Sequence, residues 1–325
     1  MKKTCCRFTA ALLLVITSFS FIPALAEAPE AYRRSTLQRV VYMPNGNGPF
    51  HYYAQNDPVW NSTIYEAADS ASQRAFGDGG CNPTALAMVV ASLVPTEHLN
   101  LLGMNAARGR TFTLCTCSVN KFNCHMRHKD ASHVRTTLLT GDDFASVLPL
   151  ALGDYATGNN LSRYQHRLGG SRQGNNGGTS KSLFNPIADI YGLSLRISRD
   201  ISEVFLTLDR RGMAIALCSG SSQLFSGGNG HYVVICAYDD AFLYVMDPFV
   251  RDKYTKDRYG LIEQIDDGIL RINRSSAKKM GFGTFALFEP ASAAYYASLP
   301  VFLNPYTREI ASASAGGDLT AMGEM

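Results

Sequence analysis

Cys81 follows Gly77-Asp78-Gly79-Gly80 and opens a run, Ala85 to Leu93, that is apolar nearly all round. Pro83 suits the first turn of a helix and Pro95 stops one, so the sulfur is expected at a helix N-terminus. There the helix dipole and the free N–H groups favour the thiolate, which is the reactive form of cysteine. Cys218 and Cys236 lie inside apolar runs instead, as buried side chains or as one cross-strand bond. Taken alone, Cys81 reads equally well as a structural or disulfide-forming thiol.

A second cluster gives Cys81 partners. His231 to Tyr238 and Phe242 to Met246, the latter ending on Asp247, flank a short turn at Asp239-Asp240 and read as a hairpin. A turn centred on Asp239 sets Ile235 opposite Leu243, Val233 opposite Val245 and His231 opposite Asp247, all on one face. A centre half a residue later makes His231 and Asp247 diagonal neighbours. A carboxylate beside an imidazole fixes the tautomer of the ring. Alone, His231 is a strand start after the turn Gly227 to Gly230, and Asp247 is a cap before Pro248. With Cys81 they make the set that a cysteine hydrolase needs: a thiolate, a base and a group that orients the base.

The helix after Cys81 has no polar face and should be central and buried. Met213 to Cys218, His231 to Tyr238, Phe242 to Met246 and Phe282 to Phe288 read as strands of an antiparallel sheet. Helices first and sheet afterwards predict an α+β fold. Between them, from Pro95 to about Ser180, the chain is polar and rich in Gly and Asn, ending in the loop Gly169 to Gly178. This segment holds Cys115, Cys117 and Cys124, which suit a disulfide, a zinc site or free thiols. Tyr52, Tyr53, Trp60 and Tyr65 are core residues or the lining of a groove. No repeat or heptad run is present.

The first 26 residues carry Lys2, Lys3 and Arg7, an apolar stretch from Ala10 to Ile22, and Ala24-Leu25-Ala26. That order predicts a cleaved signal peptide and a protein exported to a periplasm or beyond the cell, without stable membrane insertion. Cleavage there removes three of the 30 basic residues and none of the 27 acidic ones, leaving a neutral chain. A neutral chain without a basic stripe offers nothing to nucleic acid. Two of the eight cysteines also leave with the leader, so a free Cys81 requires at least one more unpaired thiol.

Gly80-Cys81-Asn82-Pro83-Thr84-Ala85-Leu86-Ala87-Met88-Val89, then Gly230-His231-Tyr232-Val233-Val234, then Met246-Asp247-Pro248, resemble the double-glycine-leader (bacteriocin-processing) peptidases and their exported relatives without transporter segments. Tyr53 to Trp60 resembles the lead-in segment of the exported branch, and Ile187 to Leu193 the helix end before the sheet. The resemblance covers about residues 50–94 and 182–250 and implies a papain-like fold, with the nucleophile at the start of a buried helix packed on the sheet. With the leader and the small, polar C-terminal residues, the expected layout is a signal peptide (1–26), a peptidase domain (27–290) with an insertion at about 95–180, and a C-terminal extension or tail (291–325).

Two positions depart from that family. Asn82 stands where it has Gly, and Ala75 where it has the side-chain amide of the oxyanion hole, about six residues before the nucleophile. Gln73 is then the candidate for that amide, reaching in through the Gly77 to Gly80 loop. The implied activity is hydrolysis of peptide or isopeptide bonds in a peptide or protein substrate, through a thioester on Cys81. It calls for no cofactor and no metal. A binding domain that has lost turnover and an acyltransferase are the rival readings.

Overall fold

The structure is a computed structural model that describes residues 37–58, 60–61, 75–99, 113–115, 134–136, 145, 148–158, 181–218, 222, 224, 230–252, 254, 257 and 260–299. The chain divides into two units, residues 1–33 and 34–325. The first unit, and with it the expected signal peptide, lies outside the described residues.

In the second unit the first strands, β1 (Arg39–Val41) and β2 (Phe50–Tyr52), pair antiparallel, with Arg39 opposite Tyr52. A single helical turn, α1 (Phe76–Gly79), leads through Gly80 into α2 (Cys81–Leu93). As expected from its all-apolar composition, α2 is central: Asn82 to Ala91 are buried without a break. Leu86, Met88, Val89 and Val90 are fully buried, each worth about 1.5–3 kcal/mol over exposure. Val94 caps it in an extended conformation, as a residue before Pro95 must.

Part of the segment read as a polar insertion is core. Strands β3 (Thr113–Cys115) and β4 (Val134–Thr136) pair antiparallel, and helix α3 (Leu148–Gly158) packs on α2. Leu148, Ala151, Leu152, Tyr155 and Ala156, spaced three and four apart, are buried, and Tyr53 Oη donates to the Ala145 carbonyl at 2.8 Å. The glycines and polar residues around this short apolar stretch hid it in the composition. Tyr52, Tyr53 and Trp60 are core residues as well, while Tyr65 lies outside the described residues.

Helix α4 (Phe184–Tyr191) ends at Gly192 in the left-handed region, with the Leu193 N–H bonded to the Ala188 carbonyl. It delivers the chain to β5 (Ser194–Ser198), and α5 (Ile201–Asp209), capped by the Asp200 carboxylate, returns it to β6 (Met213–Cys218). Then come β7 (His231–Tyr238), β8 (Phe242–Met246), β9 (Ile262–Asp266), β10 (Ile269–Asn273) and β11 (Phe282–Glu289). These form one antiparallel sheet in the order β5-β11-β6-β7-β8-β10-β9. Ala214, Ala216, Val233, Ile235, Val245, Leu270 and Leu287 build a core on one face, with Val204 of α5 and Met280 of the 3-10 stretch Arg274–Met280. Helix α2 packs on β6 and β7. Within residues 291–325, α6 (Ala293–Ser298) is docked: Tyr296 is buried and donates to the Tyr191 carbonyl at 3.1 Å.

Candidate active site

The segment Gly77 to Gly80, expected as an open loop, is instead wound up as α1, with Phe76 buried and the Gly80 N–H on the Phe76 carbonyl at 2.7 Å. A Cβ at Gly77 would lie 1.8 Å from Asn61 Oδ1, so a larger residue there would have to displace that side chain. The first bond of α2 follows directly, from the Thr84 N–H to the Gly80 carbonyl. Cys81 is therefore the first residue of α2 and half-buried, where an anion meets free N–H groups.

His231 starts β7 directly opposite Cys218 of β6. Gly230, in the left-handed region at φ 83°, turns the chain into the strand. His231 Nε2 and Asp247 Oδ1 are 2.6 Å apart, and both residues are buried. With the Nε2 proton given to Asp247, Nδ1 is the nitrogen left for Cys81, whose sulfur hydrogen-bonds the imidazole. The three residues chosen from sequence thus meet in one site.

Their register is not the expected one. The turn closes with the Asp239 N–H on the Phe242 carbonyl, leaving Asp240 and Ala241 as its tip, and the Asp239 carboxylate caps it by accepting from the Ala241 and Phe242 N–H groups. Tyr238 then pairs with Leu243 and Ala237 with Tyr244, but Ile235 pairs with Val245 and Val234 with Met246. Cys236 is the extra residue of a β-bulge. Beyond the bulge, His231 and Asp247 are diagonal neighbours on one face rather than directly opposed. Cys236 is a free buried thiol, its sulfur 3.6 Å from the Tyr244 carbonyl; Cys218 is also free and buried, which raises its thiol to about 12. No cross-strand bond joins them.

Burial pushes the Cys81 thiol up, yet its hydrogen bond to His231, the charge of that ring, and backbone hydrogen bonds from Tyr232 and Asn82 outweigh burial and hold it below its ordinary value. Burial likewise pulls His231 down, and the charge and hydrogen bond of Asp247, followed by those of Cys81, raise it to about 9. For Asp247 burial acts upward, but the charge and hydrogen bond of His231, the charge of Arg251 and the Phe249 N–H keep the carboxyl below its ordinary value. The shared proton therefore rests on His231, between two anions.

Asp247 is anchored on all sides. Its N–H reaches the Gly268 carbonyl at 2.7 Å, and its own carbonyl accepts from Tyr52 Oη at 2.9 Å. Gly268 must be glycine: its φ is 67° and a Cβ would lie 1.9 Å from Tyr52 Oη.

Of the oxyanion-hole candidates, Gln73 lies outside the described residues. Sequence reasoning passed over Gln55, in the lead-in segment. Gln55 is buried; its N–H donates to the Pro248 carbonyl at 2.6 Å and its Nε2 to the Gly77 carbonyl at 2.6 Å. It therefore ties the residue after Asp247 to the turn before Cys81, with a second Nε2 hydrogen still to give. The usable signal was its place in the Tyr53 to Trp60 segment rather than its distance from Cys81. Ala75 caps α1 and offers no amide. Asn82 is buried, and its side chain hydrogen-bonds the Tyr232 hydroxyl, whose ring meets Phe184 edge-on at 5.8 Å. Cys117 and Cys124 lie outside the described residues, and only the backbone of Cys115 is described.

The Peptidase_C39-like family model matches residues 49–265, a span that contains α2, β7, β8 and Asp247. No curated protein sequence matches the chain. Among solved structures it is similar to a C39-like peptidase from Bacillus anthracis, with 14% identity and a TM-score of 0.22 over 34% of this chain and 58% of that one. The chain thus spans little more than half of that structure's length, and so slight a likeness carries no argument. The family match covers more than half of the 325 residues, and the helix-then-sheet order is that of the α+β papain-like fold. On that match, this chain belongs to the C39-like peptidase family.

Proposed function

We propose that the protein is an exported cysteine peptidase that cleaves peptide bonds by acyl transfer to Cys81. The observation that supports this most directly is the hydrogen-bonded line from the Cys81 thiol through His231 to Asp247, with the imidazole proton fixed on the carboxylate side at 2.6 Å. The Cys81 sulfur attacks the substrate carbonyl carbon, and the electron pair of the C=O bond moves onto oxygen. His231, protonated, gives its Nδ1 proton to the departing amine as the C–N bond breaks, leaving a thioester. Water then attacks the thioester; His231 takes its proton, and the acid leaves with Cys81 restored.

The developing oxyanion is received by the Cys81 N–H and by Gln55 Nε2, the buried amide beside the preceding turn. A peptide or protein is the substrate. The leader at residues 1–26 supports export, to a periplasm or beyond the cell, and among the described residues no helix is long and apolar enough to cross a membrane.

Incubation with a peptide library followed by mass spectrometry tests the reading. Products released by the wild type and absent with Cys81→Ala are expected. A wild type that binds peptides without cleaving them would favour the binding-domain reading. Capture of the acyl group by an added amine in preference to water would favour transfer.

A further inference from the structure

The carboxylate of Asp247 carries more than the catalytic reading uses. Oδ1 accepts from His231 Nε2 at 2.6 Å and from the Phe249 N–H at 2.8 Å. Oδ2 accepts from Arg251 Nε at 3.1 Å and from Tyr254 Oη at 2.8 Å. A carboxylate offers about four acceptor positions, so this one is saturated. The Arg251 guanidinium, largely covered, lies over the Phe249 ring at 4.6 Å and the Tyr254 ring at 5.9 Å, which holds its single fixed charge against the carboxylate. With Cys81 and Asp247 anionic, His231 alone leaves the cluster one charge short of neutral in a buried site, where an uncompensated charge is costly. Arg251 supplies the missing cation.

We propose that Arg251 and Tyr254 are positioning residues of the Cys81–His231–Asp247 set: together they clamp Asp247 from its far side, and Arg251 is the counterion that allows Cys81 and Asp247 to be anionic together. The inference rests on the peptidase reading of that set. Asp247 held at four points cannot rotate, so the imidazole it holds cannot turn away from the sulfur. The Arg251 charge disfavours protons on every group near it. Removing it should therefore move thiol and imidazole titrations upward together, while a purely structural brace would move neither.

The other groups facing the set do not interfere. Tyr52 of β2, Tyr232 of β7 and Tyr254 are raised by burial, and Cys218 of β6 is raised to about 12, so none titrates with the pair. Arg39 sits behind the Tyr52 ring at 4.5 Å, ion-paired with Asp266 at 3.1 Å, and Asp267 lies near the same ring.

The test is the rate of Cys81 alkylation by iodoacetamide from pH 4 to 10, with the site assigned by peptide mass. It reports the thiolate without requiring turnover. Arg251→Gln, which keeps a donor, and Arg251→Met are expected to shift both the acid midpoint and the alkaline step up by about one pH unit, the effect of one unit charge at short range and intermediate dielectric. Arg251→Lys, which keeps the charge, should hold both within roughly 0.3 unit of wild type on the same scale. Tyr254→Phe removes a neutral donor, so its limbs should also stay in place while kcat falls. If the neutral Arg251 variants melt earlier but keep both limbs unshifted, Arg251 is a brace only and the proposal is overturned. If wild-type Cys81 itself reacts only as the pH nears 9, the peptidase reading fails and takes this inference with it.

Discussion

Asp247→Asn replaces one oxygen with an amino group in a site where every approaching group is a donor. One amide orientation leaves an oxygen for His231 Nε2 and the Phe249 N–H but turns the amino group on Arg251 and Tyr254; the other does the reverse. The Tyr254 hydroxyl and a neutral imidazole can turn round and accept from the new amino group, but Arg251 in one orientation and the Phe249 N–H in the other lose their acceptor, at about 1–3 kcal/mol. The charge is lost as well. His231 stands at about 9 although its own burial acts downward, and Asp247 is the main upward cause. Without it the ring should fall to its ordinary 6.5 or lower. That drop of about 2.5 units is worth about 3 kcal/mol, or roughly 300-fold in the balance between the thiolate–imidazolium pair and the neutral pair. Iodoacetamide labelling of Cys81 at pH 6 should slow on the order of 100-fold, and the alkaline limb of kcat/KM should move from near 9 toward 6.5. The sign for stability follows from the same shift. A raised histidine stabilises the fold fully below its unfolded value and loses that contribution as the pH rises through about 9. The gap in Tm between wild type and Asp247→Asn should therefore be widest near pH 6 and narrow above 9. A variant that keeps labelling within a factor of about three and an unmoved alkaline limb would refute the assignment of Asp247 as the source of the imidazole's charge.

Three further outcomes are expected. The wild-type kcat/KM profile should be bell-shaped, with its acid limb below the ordinary thiol range and its alkaline limb near 9, set by Cys81 and His231 respectively; a profile that keeps rising beyond pH 10 would contradict the pair. Gln55→Ala should lower kcat by about 10²–10³-fold while iodoacetamide still labels Cys81, as loss of one oxyanion donor does, whereas Gln73→Ala should leave kcat in place; the opposite ranking would return the oxyanion role to Gln73. Gly268→Ala should cost at least about 2 kcal/mol in urea unfolding, because its Cβ collides with the Tyr52 hydroxyl and its φ is left-handed; a neutral result would mean the Tyr52 anchor moves freely.

What the amino-acid order made legible is the chemistry carried by local patterns. Helix α2 was readable from Pro83, Pro95 and the eight apolar residues of Ala85 to Leu93, and the strands β6, β7, β8 and β11 from their apolar runs. The strands β5, β9 and β10 were not, because they alternate exposed with half-buried residues or interleave charge, as in Ser194-Leu195-Arg196-Ile197-Ser198 and Ile262-Glu263-Gln264-Ile265-Asp266. Gln55 was passed over for a different reason. Its tie to Pro248 spans nearly two hundred residues, and only closure of the chain sets β2 beside the end of β8.

The meeting of His231 and Asp247 was readable only through two features that compensate. A hairpin tip of Asp240 and Ala241, closed by Asp239 and Phe242, has a phase that on an unbroken ladder sets Asp247 on the face opposite His231. One inserted residue, Cys236, reverses the phase, and Val233, Ile235, Leu243 and Val245 return to one core face together with His231 and Asp247. Alternation could not have revealed this. Strand β7 is buried on both faces from Val233 to Ala237, so no polar residue marks which side is which. The shared face was expected from an unbroken ladder centred on Asp239, a register that differs from the observed one but has the same phase, while the bulge that creates the face is a property of the backbone. Bulges beside active sites re-aim side chains in this way, and here the re-aimed side chain is that of His231, the proposed general base.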